Sequence, residues 1–99
     1  MKPSTDAQLS YSHGFDHGNY ASAYELQPEC LSAEDLDTWI DSQLQEVASQ
    51  ALEPGGYLLP PLRVGLILGL WSSYELHEIP KEHHEWYLWA CDEATRRGF

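Results

Sequence analysis

Positively charged side chains are almost absent from the first two thirds of this chain. No lysine or arginine occurs between Lys2 and Arg63, a stretch of 60 residues that carries ten aspartates and glutamates. Over the full 99 residues, 5 lysines and arginines stand against 16 acids, which gives a formal net charge of −11. We expect this stretch not to neutralise itself by internal ion pairing. Because phosphate contacts require clustered lysine and arginine, the balance argues against direct binding of nucleic acid or an anionic membrane.

The chain also lacks the features of membrane-spanning, exported and disulfide-stabilised proteins. The longest apolar run, Tyr57–Trp71, contains two prolines and an arginine and is shorter than the ~20 apolar residues of a spanning helix. The N-terminus lacks the apolar core of a signal peptide. Two cysteines, Cys30 and Cys91, do not make a disulfide framework, so we expect buried free thiols. We therefore expect one domain over residues 1–99, flexible at 1–7, in the cytoplasm of a bacterial host cell.

Two segments of the chain resemble each other. Gly14–Leu26 and Gly65–Leu76 share the scheme GxxxG, one residue, an aromatic residue, small residues and then Tyr-Glu-Leu, with one residue deleted in the second copy. A proline and a helix-like segment with a tryptophan follow each copy. The copies lie about fifty residues apart, a spacing typical of helical-pair repeats. The pattern indicates a duplication, or selection for the same packing.

The fold class that follows is all-α, a small bundle of about four helices built as two related helix pairs. Each pair consists of the GxxxG…Tyr-Glu-Leu segment followed by an amphipathic helix. A β-hairpin is the alternative for the first segment, because apolar residues alternate over Leu9–Phe15. The expected helices cover about 8–25, Ser32 to Pro54, Leu62–Leu76, and Pro80 to Arg97.

Glycines at four-residue spacing put a smooth stripe on one face of each GxxxG helix. Such a stripe lets another backbone approach closely. Since the chain offers no membrane-spanning segment, we expect the stripes to pack within the domain, Gly14 and Gly18 against Gly65 and Gly69.

Apolar residues at three- and four-residue spacing predict one buried face on the second and fourth helices. Ser32 is a good N-cap for the second helix. The expected inward residues are Leu36, Trp39, Ile40, Leu44 (or Gln43), Val47 and Ala51 in the second helix, and Trp86, Trp89, Ala90 and Ala94 in the fourth.

Acidic side chains on these two helices are the first candidate for a functional site. Four residues advance a helix by about 6 Å, which is close to the step between phosphates along one DNA strand. Carboxylates in that array could bind the lysines and arginines with which another protein contacts a phosphate backbone. The alternative is a solvated outer face that keeps a small protein in solution. The candidate partner-binding residues are Glu34, Asp35, Asp37, Asp41, Glu46, Glu82 and Glu85.

Histidines are the second candidate. His13 and His17 lie four residues apart around Asp16, and His77 belongs to a further group of histidines near Pro80. Imidazole suits zinc, but the spacing matches no standard site. The chain also lacks a nucleophile elbow or a phosphate loop. We therefore expect no metal, no cofactor and no catalytic residue, and we keep a histidine-based metal-binding protein as an alternative.

Two phrases, Gly-Asn-Tyr-Ala-Ser-Ala-Tyr-Glu at 18–25 and Ser-Ser-Tyr-Glu-Leu-His-Glu-Ile-Pro at 72–80, resemble small proteins of bacteriophages and mobile elements. In size and single-sign charge, the chain is similar to small acidic phage inhibitors of host defence, such as anti-CRISPR and anti-restriction proteins. The resemblance implies a non-enzymatic inhibitor that docks on the basic surface of a nucleic-acid-binding complex. That class has no shared motif, so no site residue is carried over from it. A homodimer formed through the GxxxG faces and tryptophans is the alternative.

Overall fold

The computed structural model describes residues 4–49 and 58–99. Within these ranges the chain forms four α-helices and three short 3-10 turns, with no strand. The all-α prediction is confirmed, and the hairpin alternative for the first segment is wrong. The helices are α1 (Thr5–Tyr24), α2 (Ala33–Ser49), α3 (Leu59–Leu70) and α4 (His84–Arg97), and the turns cover Pro28–Cys30, Leu76–Glu78 and Lys81–His83.

α1 and α3 touch backbone to backbone through their glycines. A Cβ atom built on Gly14 would lie 2.2 Å from the carbonyl oxygen of Leu62, and one on Gly65 would lie 2.1 Å from that of Tyr11. Gly18 and Gly69 are equally tight, at 2.3 and 2.1 Å from carbonyl oxygens of the facing helix. The predicted packing of the two GxxxG stripes is confirmed, and it takes place inside the monomer.

α1 owes its stability to this packing more than to its own sequence, because each helical glycine costs about 1 kcal/mol relative to alanine. Its buried residues are all small: Ser10, Gly14, Gly18 and Ala21. Ser4 caps the helix by accepting a hydrogen bond from the backbone N–H of Ala7 at 3.1 Å. Residues 5–7 lie in the first turn of α1, and the flexibility of 1–7 stays a prediction.

α3 is the central helix and contacts α1, α2 and α4. Its large side chains, including Leu62, Val64, Leu66 and Leu70, are almost completely buried. Proline in its first turn suits a position where no backbone donor is needed. No helix in the described ranges is long and apolar enough to cross a membrane.

α2 and α4 pack on this centre with the apolar faces that their spacing predicts, with one exception. Leu36, Ile40 and Leu44 of α2 are buried, as are Ala90 and Ala94 of α4. Ser32 caps α2 by accepting from the backbone N–H of Asp35 at 3.1 Å. The expected inward position of Trp86 is wrong, because 42% of its surface is exposed. Ala51 lies outside the described residues.

Three other expectations need correction. α3 ends at Leu70 instead of Leu76, and α4 begins at His84 because the residues after Pro80 form a 3-10 turn. Both cysteines are free thiols, but Cys30 is exposed and Cys91 is half-buried instead of buried.

A tyrosine–carboxylate contact joins the two halves of the chain. The Tyr74 hydroxyl, just after α3, donates a short hydrogen bond to Oε2 of Glu29 in the Pro28–Cys30 turn. Burial, followed by the hydrogen bond and the negative charge of Glu29, raises the pKa of Tyr74 from 10.0 to about 12. The protonated hydroxyl is therefore the form that holds the two turns together.

Gly65→Ala should lower the free energy of unfolding by about 3 kcal/mol, because the new methyl group meets a backbone carbonyl that cannot rotate away. Urea titration followed by circular dichroism measures the change. Ser12→Ala, on the exposed side of α1, is the control and should be neutral or slightly stabilising. Equal stability of Gly65→Ala and the natural protein would contradict the backbone contact.

The natural protein should lose stability as the pH rises from 10 to 12, and Tyr74→Phe should lose less over the same range. The unfolded chain releases this proton near pH 10.0 and the folded protein near 12. The stabilisation is thus complete below pH 10 and disappears as the pH rises towards 12. Urea midpoints measured from pH 8 to pH 12 in both proteins give the difference. Because burial also raises the pKa of Tyr11 and Tyr87, the comparison is between the two proteins at each pH.

Candidate partner-binding surface

A shallow groove lies between α2 and the start of α4, with α3 as its floor. Its free volume is about 10 Å³, around that of one water-sized probe, so it is a surface depression and not a cavity for a small molecule. Its lining residues are Ala33, Leu36, Asp37, Ile40, Ile67, Trp71, His83 and Trp86.

His83 fixes the turn that precedes α4 against the start of α2. Its ring nitrogen Nε2 lies 2.7 Å from the carbonyl oxygen of Leu31, which can only accept, so Nε2 carries the proton. The ring is 3% exposed and its centroid lies 5.3 Å from that of Trp71. This contact places Glu82, the exposed neighbour of His83, on the same side of the molecule as the first turn of α2.

Arg63 of α3 provides a second link between α2 and α4. Its guanidinium donates to Oδ1 of Asp37 at 2.6 Å and to Oδ1 of Asp41 at 2.7 Å. The guanidinium carbon also lies 5.3 Å from the ring centroid of Trp86. Two carboxylates of α2 and one indole of α4 are therefore held by one cation.

This ion pairing reduces the charge of the acidic stretch from outside it. Asp37 and Asp41 share Arg63, the residue that follows the stretch. One positive charge against two negative charges leaves the group at −1. The side chains of Asp37 and Asp41 are still 41% and 57% exposed, so both remain accessible to a partner.

The remaining candidate carboxylates divide into two sets. Glu34 and Asp35 are exposed in the first turn of α2, Glu82 is exposed in the turn before α4, and Glu85 is exposed in the first turn of α4. These four lie next in sequence to residues that line the groove, on both of its sides. Glu46 is exposed but lies about 14 Å further along α2 than Asp37, at 1.5 Å per residue, away from the groove.

At the C-terminal end of α4 the acidic side chains are paired with arginines. Arg96 pairs with Asp92, and Nε of Arg97 lies 3.0 Å from Oε2 of Glu93. Acidic character on α4 is therefore concentrated at its N-terminal end, beside the groove. We call the groove together with Glu34, Asp35, Asp37, Asp41, Glu82 and Glu85 the acidic face.

The histidines that suggested a metal site mostly have structural hydrogen-bond partners. Nε2 of His17 lies 2.7 Å from the side-chain oxygen of Gln43 on α2, and Nε2 of His84 lies 2.7 Å from the carbonyl oxygen of Ile79. Within residues 4–49 and 58–99, His13, Asp16 and His17 do not converge as a ligand group.

The group with metal-ligand spacing in the described part of the chain is Glu75, His77 and Glu78, all exposed. Glu75 and Glu78 already form a reciprocal capping box around the Leu76–Glu78 turn. Their convergence is therefore explained by the local backbone.

Sequence reasoning did not identify Arg63, which pairs with Asp37 and Asp41 of the acidic face, or the exposed position of Trp86 in the groove. Arg63 is the first cation after the acidic stretch, and this position in the sequence could have indicated that it pairs with acids of that stretch. Trp86 fits the apolar spacing of α4, so the spacing gave no sign that it stays exposed.

Comparison with protein-family models, with curated proteins and with solved structures gave no match.

Arg63→Gln should lower the free energy of unfolding by about 1–2 kcal/mol, because it removes two charged hydrogen bonds and leaves Asp37 and Asp41 to repel each other. Arg63→Lys should recover only part of the loss, since an ammonium group cannot bridge both carboxylates in the same plane. Thermal and urea unfolding at low salt measure both effects. The control, Lys81→Gln, removes the same charge at an exposed position. A loss as large in the control would contradict a specific role for Arg63.

Proposed function

We propose that this protein is a non-enzymatic inhibitor that docks its acidic face on the basic surface of a nucleic-acid-binding protein or complex. The observation that carries the proposal is the position of the two acidic segments. Carboxylates from the start of α2 and from the start of α4 flank one groove, and Asp37 and Trp86 belong to its lining. An array of this sign repels nucleic acid and attracts surfaces built to bind it.

The net charge of −11 also supports docking on a basic surface. Single-sign charge destabilises a folded chain through self-repulsion, so its concentration beside a groove favours a role in recognition. The class of partner that we propose is a CRISPR surveillance complex or a restriction enzyme of a bacterial host. The protein would then be encoded by a phage or mobile element and act in the cytoplasm of that cell.

We also propose that the two halves of the chain are related helix pairs. Each half has a GxxxG helix, a 3-10 region (one turn in the first half and two in the second) and a helix with one buried face. The two GxxxG stripes meet reciprocally, because each glycine approaches a carbonyl oxygen of the facing helix. The halves differ where α3 ends four residues before Tyr74, whereas α1 continues to Tyr24.

The homodimer alternative loses the GxxxG faces and Trp71, on which it was partly based. Gly65, Gly69 and Trp71 are buried within the monomer, the glycines against α1. A dimer of this chain would need a different interface.

The test is displacement of double-stranded DNA from purified host complexes. A panel of guide-loaded CRISPR surveillance complexes and type I restriction enzymes is titrated with the protein, and fluorescence anisotropy of labelled DNA reports binding. We expect at least one member to release DNA. Raising the salt from about 50 to about 500 mM shortens the screening length about threefold and should slow association sharply.

A pair of charge-matched variants locates the interaction. Glu34→Gln, Glu82→Gln and Glu85→Gln together should reduce the inhibitory potency at least about tenfold. The control combines Asp6→Asn, Asp16→Asn and Glu25→Gln, which removes the same charge from exposed positions on or just after α1. Equal potency of the two triple variants, or association that salt does not affect, would exclude docking through the acidic face.

A further inference from the structure

Arg63 interrupts the negative charge of the acidic face between α2 and α4. Its guanidinium donates to Oδ1 of Asp37 at 2.6 Å and to Oδ1 of Asp41 at 2.7 Å. The guanidinium carbon also lies 5.3 Å from the ring centroid of Trp86. The Arg63 side chain is 20% exposed, so its positive charge lies close to the surface. This part of the face already has its ionic partners within the monomer.

The other carboxylates of the acidic face have no such partner. Among residues 4–49 and 58–99, no lysine or arginine forms an ion pair with them. Glu82 lies 3.7 Å from Nε2 of His83, but that nitrogen already donates to a backbone carbonyl at 2.7 Å. All of them are exposed, so each can pair with a cation of another protein. They are Glu34 and Asp35 at the start of α2, and Glu82 and Glu85 around the start of α4.

A cation of the partner therefore meets different surroundings at different places on the face. Opposite Glu34 or Glu85 it meets an unpaired carboxylate, whereas opposite Arg63 it meets a like charge. Like charges that face each other across an interface disfavour wrong partners and fix the register of the right one. Trp86, which is 42% exposed beside Arg63, favours an uncharged group at the same place.

We infer that Arg63 determines the charge spacing of the partner, which carries two basic clusters separated by an uncharged stretch. One cluster pairs with the carboxylates at the start of α2 and the other with Glu82 and Glu85, while the uncharged stretch covers Arg63 and Trp86. The inference rests on the proposed function and specifies the surface that the acidic face recognises. Arg63 keeps its own carboxylates in the complex and forms no ion pair with the other protein.

The test uses lysine–alanine peptides of identical composition and length. One peptide carries four adjacent lysines, and the others carry two pairs of lysines separated by two, four or six alanines. Fluorescence anisotropy of the labelled peptides at about 50 mM salt, where screening is weak, gives the dissociation constants. The natural protein should bind at least one spaced peptide about two- to fivefold more tightly than the adjacent-lysine peptide, because adjacent lysines place a cation opposite Arg63.

Arg63→Gln should abolish this preference, because Asp37 and Asp41 then become free to accept a central cation. Lys81→Gln removes the same charge from an exposed position and should keep the preference. Equal binding of all peptides by the natural protein, or an unchanged preference in Arg63→Gln, would overturn the inference. If Arg63→Gln does not fold, the preference of the natural protein still decides.

A second measurement compares two variants that each remove two negative charges. Glu34→Gln with Glu85→Gln should weaken binding of the best spaced peptide at least about threefold more than Asp37→Asn with Asp41→Asn, because only the first pair is free to contact the peptide. Circular dichroism checks that both variants are folded. Equal weakening would mean that the carboxylates held by Arg63 also contact the peptide, against the inference.

The outcome separates the inference from the proposed function. If the natural protein binds all peptides equally while Glu34→Gln with Glu85→Gln weakens them all, the acidic face binds basic partners and the spacing role of Arg63 is wrong. If this double variant binds every peptide as the natural protein does, the proposed function fails whatever Arg63 contributes.

Discussion

The backbone contact between α1 and α3 determines where every other element can lie. Four glycines bring the two helices together until a single added methyl group would overlap a carbonyl oxygen. α1 then needs no large apolar side chains on its inner side, and its buried residues are all small. α3 is covered on that side by backbone, and α2 and α4 also pack against it.

This arrangement explains how a short chain with an unbalanced charge keeps a stable core. The central helix is nearly free of charge, and its single cation, Arg63, lies at the border with α2. Exposed carboxylates lie along α1, on the outer side of α2 and around the start of α4, where water screens their repulsion. Ion pairs neutralise the C-terminal end of α4, so the uncompensated charge of this helix lies at the end beside the groove.

Local patterns in the sequence were sufficient to predict the four helices, though not all of their ends, and the glycine contact. Spacing of four residues predicts a smooth helical face without knowledge of the partner, and only one other segment, at Gly65 and Gly69, offered a matching face. The start of α4 could not be predicted in the same way, because it depends on the bond from His83 to the carbonyl of Leu31, 52 residues away.

The candidate site was predictable in its charge but not in its geometry. The carboxylates were identified as residues, whereas the cation that joins Asp37 and Asp41 comes from another helix, 26 and 22 residues away. Periodicity also cannot distinguish a buried tryptophan from one that lies beyond the edge of the core. Trp86 lies in the first turn of α4, where the apolar spacing continues but the packed neighbours do not.

The glycine contact between α1 and α3 limits which positions of such a chain can change during evolution. Its four positions tolerate no side chain, and none of them contributes to the charged exterior. Carboxylates on α2 and α4 can therefore be exchanged, moved or lost without disturbing the glycine contact between α1 and α3. The exposed charges of such a chain can therefore change during evolution while the four glycines are retained.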